Sequence, residues 1–314
     1  MTDEHETALR RAALFPGFEP FEVAVETPHG GAMIRGLAGG KGPPVLLLHG
    51  YPQTLAMWHL VAPRLAERHR VVCADLRGYG ASSKPPTDAE HAPYSKRAMA
   101  ADMVQVMRAL GHESFHVGAH DRGARVAHRL ALDHPEAVRS LALLDIAPTR
   151  EMYAGAGDAF ARAYWHWFWL ILPAPHPERM IGADPEAFWR QKCAQPVANP
   201  AGGGVFHPDA LADYLAHWTP DTIHSSCEDY RAAAAIDIAH DDADDREGGG
   251  RRVEAPLLAL WGAKGTVARC FDPLALWRLR AADVSGRALP GGHYLAEELP
   301  DEVLSAFLTH FEEN

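Results

Sequence analysis

The stretch Val117-Gly-Ala-His-Asp121-Arg-Gly-Ala-Arg125 places an aspartate between an apolar run, residues 115–118, and a helical pattern, residues 126–132. The apolar run predicts a buried strand, and the helical pattern predicts a helix that begins just after the aspartate. A nucleophile at such a strand-to-helix corner needs small neighbours, because the backbone there is strained and closely packed. The alanine and glycine two positions to either side of Asp121 meet this need. The pattern therefore predicts a nucleophile elbow with Asp121 as the nucleophile.

An aspartate at this position changes the expected chemistry. A carboxylate is ionised at neutral pH and attacks without the help of a base. The product of its attack is an alkyl ester of Asp121. Displacement at a saturated carbon, as in cleavage of a carbon–halogen or epoxide carbon–oxygen bond, is therefore favoured over acyl transfer.

Two arginines, Arg122 and Arg125, accompany the nucleophile on the elbow and the following helical turn. A guanidinium binds a carboxylate through two parallel hydrogen bonds, which would bring the α-carbon of a small acid within reach of Asp121. This arrangement favours a 2-haloacid substrate. The alternative is that the arginines neutralise the buried nucleophile or face solvent.

Strand and helix patterns alternate along the chain. Apolar runs bounded by helical segments are typical of a parallel sheet that is covered on both faces. The strand candidates are residues 45–49, 71–75, 115–118 and 141–145, and the helix candidates are residues 98–110 and 124–133. The sequence thus predicts a doubly wound α/β fold.

The pattern changes between residues 146 and 252, where aromatic, helix-like sequence is broken by several prolines. Strand-helix alternation resumes at residues 256–262 and ends with an amphipathic helix over 301–311. We therefore predict an inserted helical cap, residues 146–252, on a core formed by 1–145 and 253–314. Within the cap, residues 201–205 predict a flexible loop, and the acidic run 241–245 predicts a solvated surface turn, since it lacks the spacing of a calcium loop.

A catalytic histidine in this fold is expected in a late loop, and Pro290-Gly-Gly-His293 fits that position. His293 would activate water. The strand that ends at Gly262 is not followed by a carboxylate, so Asp145, at the end of the preceding strand candidate, is the better orienting acid; the alternative is that Asp145 caps a turn. The turn His49-Gly-Tyr51-Pro predicts an oxyanion hole formed by the backbone N–H groups of Tyr51 and Arg122.

The cap carries the unusual run Arg162-Ala-Tyr-Trp-His166-Trp167-Phe-Trp169. Indole and imidazole N–H groups are costly to bury without an acceptor, and a departing halide is a good acceptor. Aromatic stripes are more often simple core, but His166 and Trp167 together with Tyr230 favour a halide-binding role.

Composition excludes several classes of protein. A net charge of −11 disfavours nucleic acid and anionic membranes as partners. The four cysteines are scattered and form no CxxC pair, so neither disulfides nor a zinc site is indicated. The N-terminus is not a secretory signal and no apolar run is long enough for a membrane span, which predicts a cytoplasmic protein. We expect no metal and no cofactor.

The chain resembles the fluoroacetate (haloacetate) dehalogenases of the α/β-hydrolase superfamily over nearly its whole length. The most specific matching motifs are His120-Asp-Arg-Gly-Ala-Arg125, Ala163-Tyr-Trp-His-Trp167 and Asp229-Tyr-Arg231, with support from Leu14-Phe-Pro-Gly-Phe, His49-Gly-Tyr-Pro-Gln-Thr, Asp75-Leu-Arg-Gly-Tyr-Gly and Gly291-Gly-His293. By resemblance, the roles are Asp121 as nucleophile, Arg122 and Arg125 as carboxylate ligands, His293 with Asp145 as the water-activating pair, and His166, Trp167 and Tyr230 as halide ligands. The resemblance further implies a haloacid substrate, and we expect a homodimer.

The chain departs from that family at two places. Family members more often carry phenylalanine at the position of Tyr51, and they carry a tryptophan-glycine loop where this chain reads Cys193-Ala-Gln-Pro-Val-Ala-Asn-Pro. The cap loop, residues 193–204, borders substrate access, so its change bears on the size and halide preference of the substrate.

Two other functions stay open at this point. An epoxide hydrolase would share the aspartate, the histidine and the fold, and would need cap tyrosines as proton donors; the candidates are Tyr153, Tyr164, Tyr214 and Tyr230. A neutral epoxide, however, has no negative charge for the two arginines to bind. A non-catalytic receptor for a small carboxylic acid would not need an intact Asp121, His293 and Asp145.

Overall fold

A single eight-stranded sheet organises the molecule, whose computed structural model describes residues 3–193, 204–246 and 250–314. The central strands are apolar and buried on both faces, as expected for a sheet covered by helices on each side. The strands are β1 Glu19–Val25, β2 Ala32–Gly39, β3 Pro44–Leu48, β4 Arg70–Ala74, β5 Phe115–His120, β6 Val138–Leu144, β7 Leu257–Gly262 and β8 Val284–Leu289.

The strand order is β1-β2-β4-β3-β5-β6-β7-β8. Along the sheet, β4, β3, β5, β6, β7 and β8 pair in parallel in that order, whereas β2 pairs antiparallel with both β1 and β4. The carboxyl ends of β3, β5, β6 and β7 consequently meet at one edge, which is where ligands bind in open α/β sheets. The predicted doubly wound α/β fold is confirmed. The edge strands β1 and β8, and β2 beside β1, were not predicted, because polar residues and glycines interrupt their apolar pattern.

Sixteen α-helices are present in the described part of the chain. Their bounds are α1 Asp3–Leu14, α2 Ala62–Leu65, α3 Lys96–Ala109, α4 Asp121–Asp133, α5 Thr149–Ala154, α6 Asp158–Ala163, α7 His166–Trp169, α8 His176–Ala183, α9 Pro185–Cys193, α10 Pro208–Ala216, α11 Pro220–Ala234, α12 Ile236–Arg246, α13 Thr266–Cys270, α14 Pro273–Arg280, α15 Leu295–Glu298 and α16 Pro300–Glu313. Among the residues described, none of these helices is long and apolar enough to cross a membrane.

Eight of these helices, α5 to α12, lie in the chain between β6 and β7. They occupy the segment predicted as the cap, and residues 146–252 are called the cap segment below. The predicted flexible loop at 201–205 and the altered loop at 193–204 lie mostly outside the described residues.

The prediction of a surface turn at residues 241–245 is wrong. These residues belong to α12, and Asp241 and Asp244 are buried against Arg129 of α4, with oxygen–nitrogen distances of 2.7 Å in both ion pairs. The acidic run is therefore part of a helix. Its Asp241 pairs with an arginine 112 residues earlier in the chain, a contact that local sequence does not reveal.

Candidate active site

The elbow forms as predicted from the small residues around Asp121. This residue is the first of α4, directly follows β5, and has a φ of +46°, in the sparsely populated left-handed region. A Cβ on Gly50 would lie 2.5 Å from the Cβ of Asp121, and one on Gly123 would lie 2.4 Å from the carbonyl oxygen of His49. Only glycine at these two positions lets the turn after β3 lie this close to the nucleophile and to the first turn of α4.

The Asp121 carboxylate is nearly buried, with 6% of its surface exposed, and its Oδ1 accepts a hydrogen bond of 3.0 Å from the backbone N–H of Tyr51. Burial alone raises the pKa of Asp121, but the nearby His293, Arg122 and Arg125 hold it below the ordinary value. The carboxylate is therefore ionised at neutral pH, as a nucleophile must be.

His293 and Asp145 lie together although 148 residues separate them. His293 Nδ1 lies 2.6 Å from Asp145 Oδ2, and the backbone N–H of Gly262, at the end of β7, donates to Asp145 Oδ1 at 2.9 Å. Asp145 directly follows β6 and has a φ of +49°. An Nδ1–H donated to this carboxylate leaves Nε2 of His293 as the acceptor, which is the arrangement of a general base.

His120, next to the nucleophile, was given no role from the sequence. Its Nε2 donates to the carbonyl oxygen of His293 at 2.9 Å, and burial lowers its pKa to about 3. His120 is therefore neutral. Its hydrogen bond holds the loop that contains His293 against the end of β5.

Arg122 is anchored by a carboxylate of the cap segment. Its Nε donates to Asp229 Oδ2 at 3.0 Å, and its NH2 donates to both the Oδ1 and the backbone carbonyl of Asp229. Its NH1 is buried without a hydrogen-bond partner among the described residues. Two of the three guanidinium nitrogens thus hold the side chain in place, and the third, NH1, remains available to a ligand.

Arg125 is anchored differently, by uncharged groups. Its NH1 donates to Thr149 Oγ1 at 2.8 Å and its NH2 lies 3.2 Å from Met152 Sδ, whereas Nε has no hydrogen-bond partner among the described residues. No ion pair of Arg125 occurs in the described part of the chain, although only 2% of its surface is exposed. Burial and the neighbouring Arg122 lower its pKa, so its charge lacks full compensation.

The predicted halide ligands come together above these arginines. The Tyr230 ring lies 4.2 Å from Cζ of Arg122, and the Trp167 ring lies 4.6 Å from Cζ of Arg125. The His166 ring lies 5.7 Å from that of Tyr230 and is stacked at 6.1 Å on Tyr51. Trp167 of the aromatic run therefore lies against Arg125 and His166 lies against Tyr230 and Tyr51, whereas Trp165 and Trp169 pack against Phe188.

His166 has the properties of a neutral donor. Burial lowers its pKa well below the ordinary value, with smaller contributions from Lys192, His293 and Arg122. Its Nδ1 is buried without a hydrogen-bond partner among the described residues. A neutral imidazole carries one N–H, which is available to an anion that enters the site.

The partners of the two arginines were missed from the sequence. Asp229 lies in the motif Asp229-Tyr-Arg231, and that adjacency to Tyr230 was the one available signal, because 107 residues separate it from Arg122. Thr149 and Met152, the neutral partners of Arg125, carry no sequence signal.

One group of side chains in the described residues has the spacing of a metal site: Glu178, His224 and Glu228 of the cap segment. Arg231 donates to both carboxylates, at 2.8 Å to Glu178 and 2.5 Å to Glu228. A guanidinium thus already supplies the positive charge at this position.

Comparison with known proteins bears directly on this site. Residues 43–300 match the family model of the alpha/beta hydrolase fold. The chain belongs to the α/β-hydrolase family. It is 47% identical to a fluoroacetate dehalogenase from Burkholderia sp, over 94% of this chain and 95% of the relative, and 30% identical to a soluble epoxide hydrolase from Corynebacterium sp. (strain C12), over 92% and 99%.

Solved structures agree with the sequence relationships. A proposed α/β hydrolase from Nostoc sp PCC 7120 superposes with a TM-score of 0.86 at 51% identity, covering 93% of this chain and 97% of the other. These findings confirm the predicted fold, the prediction that the chain is a hydrolase, and its resemblance to the fluoroacetate dehalogenases.

Proposed function

We propose that this protein hydrolyses the carbon–halide bond of small 2-haloacids, converting a haloacetate such as fluoroacetate to glycolate and halide. The observation that carries the proposal is Arg125, a buried cation beside an ionised Asp121 and without a carboxylate partner in the described residues. A buried charge of this kind is costly unless a ligand compensates it. A small carboxylate supplies that compensation and presents its α-carbon to the nucleophile.

In the first step, Asp121 displaces the halide. Because Tyr51 N–H holds Oδ1, Oδ2 is the oxygen free to attack. It forms a bond to the α-carbon as the carbon–halogen bond breaks, and the electron pair of that bond leaves with the halide. The product is a carboxymethyl ester of Asp121, and Arg122 and Arg125 keep the carboxylate of the substrate in line for attack.

In the second step, water cleaves the ester. His293 Nε2 accepts a proton from water while Asp145 stabilises the imidazolium that results. The hydroxide attacks Cγ of Asp121, and the backbone N–H groups of Tyr51 and Arg122 stabilise the oxyanion. As the intermediate collapses, the His293 imidazolium returns its proton to the leaving glycolate oxygen. The Asp121 carboxyl, which now contains the oxygen of the water, loses a proton to solvent, so the cycle consumes one water, releases one proton with the halide and requires no cofactor.

The departing halide is held by His166, Trp167 and Tyr230. Charge develops on the halogen only as the bond breaks, so donors placed there stabilise the transition state more than the bound substrate. Fluoride is a poor leaving group and depends most on such donors. The approach of the Tyr230 and Trp167 rings to the arginines, and of the His166 ring to Tyr230, supports this role.

An epoxide hydrolase is the second candidate, supported by the 30% identical relative and by the buried Tyr153 hydroxyl, which has no partner among the described residues. Tyr214 is not available as a proton donor to an epoxide, since its hydroxyl donates to Glu297. A neutral epoxide would add nothing to the partial compensation that Asp121 gives Arg125, which favours the haloacid. A non-catalytic carboxylate receptor would give the His293–Asp145 pair no task.

The decisive experiment measures halide release by the purified protein from fluoro-, chloro- and bromoacetate, beside hydrolysis of styrene oxide. Release of all three halides supports the proposal in full. Release of chloride and bromide alone limits the activity to the better leaving groups. Turnover of styrene oxide without any halide release contradicts the proposal and favours the epoxide hydrolase, and no turnover of any substrate favours the receptor.

We further propose that the enzyme acts in the cytoplasm as a homodimer. The four free cysteines, three of them buried, are compatible with a reducing compartment. Light scattering coupled to size-exclusion chromatography measures the assembly directly, and a monomeric mass would contradict the dimer.

A further inference from the structure

The anchor of Arg122 contains a third charge that the proposed mechanism does not use. Lys96, the first residue of α3, is 3% exposed, and its ammonium contacts Asp229 Oδ1. Tyr79 donates its hydroxyl to Asp229 Oδ2 at 2.6 Å. The carboxylate that holds Arg122 is therefore shared among one arginine, one lysine and one tyrosine.

The charges of this group can be counted. Asp229 is ionised, because Arg122 and Lys96 overcome the effect of burial and lower its pKa. One carboxylate thus lies between two cations. The next carboxylate, Asp237, accepts a hydrogen bond from the backbone N–H of Lys96 at 2.9 Å, and its Oδ2 forms a longer ion pair of 3.8 Å with the lysine nitrogen, so it compensates part of the Lys96 charge.

A buried pair of Arg122 and Asp229 alone would be electrically neutral and would offer little attraction to a substrate anion. Placing a second cation on the same carboxylate offsets the charge of Asp229 and leaves that of Arg122 available. Asp229 then serves as an orienting group without weakening the arginine as an anion ligand. In a buried site such a charge acts at close range with little screening by salt.

We propose that Lys96 and Asp229 are positioning residues of the carboxylate site: Asp229 orients Arg122 through two of its nitrogens, and Lys96 offsets the charge of Asp229 so that Arg122 still attracts the substrate anion. This inference rests on the proposed function, since it assigns partners to the same substrate site. It separates two tasks that a single ion pair could not perform together.

The two residues have different expected effects. Lys96→Met removes charge but leaves the contacts of Arg122 to Asp229, so KM for chloroacetate rises about tenfold while kcat changes little. Asp229→Asn replaces one of the two carboxylate oxygens that orient Arg122 by an NH2 group and removes no positive charge, so the guanidinium is misaligned and kcat falls about tenfold or more. Lys96→Arg retains the charge and keeps KM close to that of the unsubstituted enzyme.

A neutral substrate distinguishes charge from structure. Chloroacetamide has the shape of chloroacetate without its charge, so Lys96→Met is expected to lower the preference for chloroacetate over chloroacetamide, whereas a merely structural defect lowers both rates together. Lys84→Met is the control, because Lys84 is a half-buried lysine that donates to the backbone carbonyls of Gly80 and Ser82 and not to Asp229. The preference of the Lys84→Met variant for chloroacetate over chloroacetamide should not change.

The experiment measures kcat and KM of these variants with both substrates, together with thermal melting and calorimetric titration of acetate. An unchanged preference in a folded Lys96→Met variant overturns the inference, as does Lys96→Arg behaving like Lys96→Met. If Lys96→Met does not fold, the inference stands or falls on the effect of Asp229→Asn on kcat. If the unsubstituted protein releases no chloride, the proposed function has failed, and weaker acetate binding by Lys96→Met still tests the charge role separately.

Discussion

The core half and the cap half of the site differ in how their polar atoms are satisfied. In the core half, the carboxylates of Asp121 and Asp145 and the Nδ1 of His293 all have partners, which the ends of neighbouring strands supply. In the cap half, His166 Nδ1 and the Tyr153 hydroxyl are buried without partners in the described residues, as are Arg122 NH1 and Arg125 Nε at the border with the core. The nucleophile and the His293–Asp145 pair of the core are thus organised before a ligand arrives, whereas the arginines and the cap leave donors for a ligand to satisfy.

This difference predicts that substitutions in the core reduce activity with every halide, whereas substitutions in the cap act according to the leaving group. The largest expected effect is that of Asp121→Asn, which removes the nucleophile but tolerates the positive φ better than most residues. Halide release from all three haloacetates should fall by at least about 10³-fold. Asp133→Asn, at the far end of the same helix, is the control and should retain activity.

Arg125 lies at the boundary between the two halves, since it extends from α4 and contacts Trp167 of the cap segment. Arg125→Gln removes the uncompensated cation, so kcat/KM for chloroacetate should fall about 100-fold, mainly through KM. Steady-state kinetics measures the effect. Arg129→Gln, one turn later and paired with Asp241 and Asp244, serves as control; an equal rise in KM there would argue that general electrostatics, and not Arg125, attracts the substrate.

Trp167→Phe tests the cap half alone. Loss of the indole N–H should reduce fluoride release about tenfold more than bromide release, which corresponds to one hydrogen bond to a developing charge. Trp169→Phe, in the same short helix but half-buried against Phe188, should leave the ratio unchanged. An equal loss for both halides would mean that the tryptophan only packs the cap.

We expect the smallest effect on turnover from substitution of Glu297, which lies where the core and the cap segment meet. Glu297 accepts hydrogen bonds from Gln53 and from Tyr214 of α10, and burial raises its pKa from 4.5 to about 8. A carboxyl whose pKa is raised on folding stabilises the fold below pH 4.5, and that contribution is lost as the pH rises through about 8.

The melting temperature should therefore fall between pH 5 and pH 9, and Glu297→Gln should flatten this dependence by a few degrees while kcat stays close to that of the unsubstituted enzyme. Scanning calorimetry across this pH range measures the slope. An unchanged slope in Glu297→Gln would show that other groups control the pH dependence.

The core half was largely predictable from sequence, because its residues follow buried strands and are ordered along the chain as the fold requires. Asp121, Asp145 and His293 each occupy a strand end or a glycine-rich loop that local patterns reveal. The cap half was only partly predictable. The aromatic run around His166 was visible, but the pairing of Asp229 with Arg122 and Lys96, and that of Asp241 with Arg129, depend on tertiary contacts between distant segments.

The central claim is that Asp121 forms a covalent ester that His293 then hydrolyses. Intact mass spectrometry of His293→Asn incubated with fluoroacetate or chloroacetate tests it most directly, because this variant retains the nucleophile but cannot activate water. The account predicts one carboxymethyl group per chain, located on Asp121 by peptide mapping, with one halide released per site. An unmodified chain, in a folded variant that still binds acetate, would contradict the covalent mechanism.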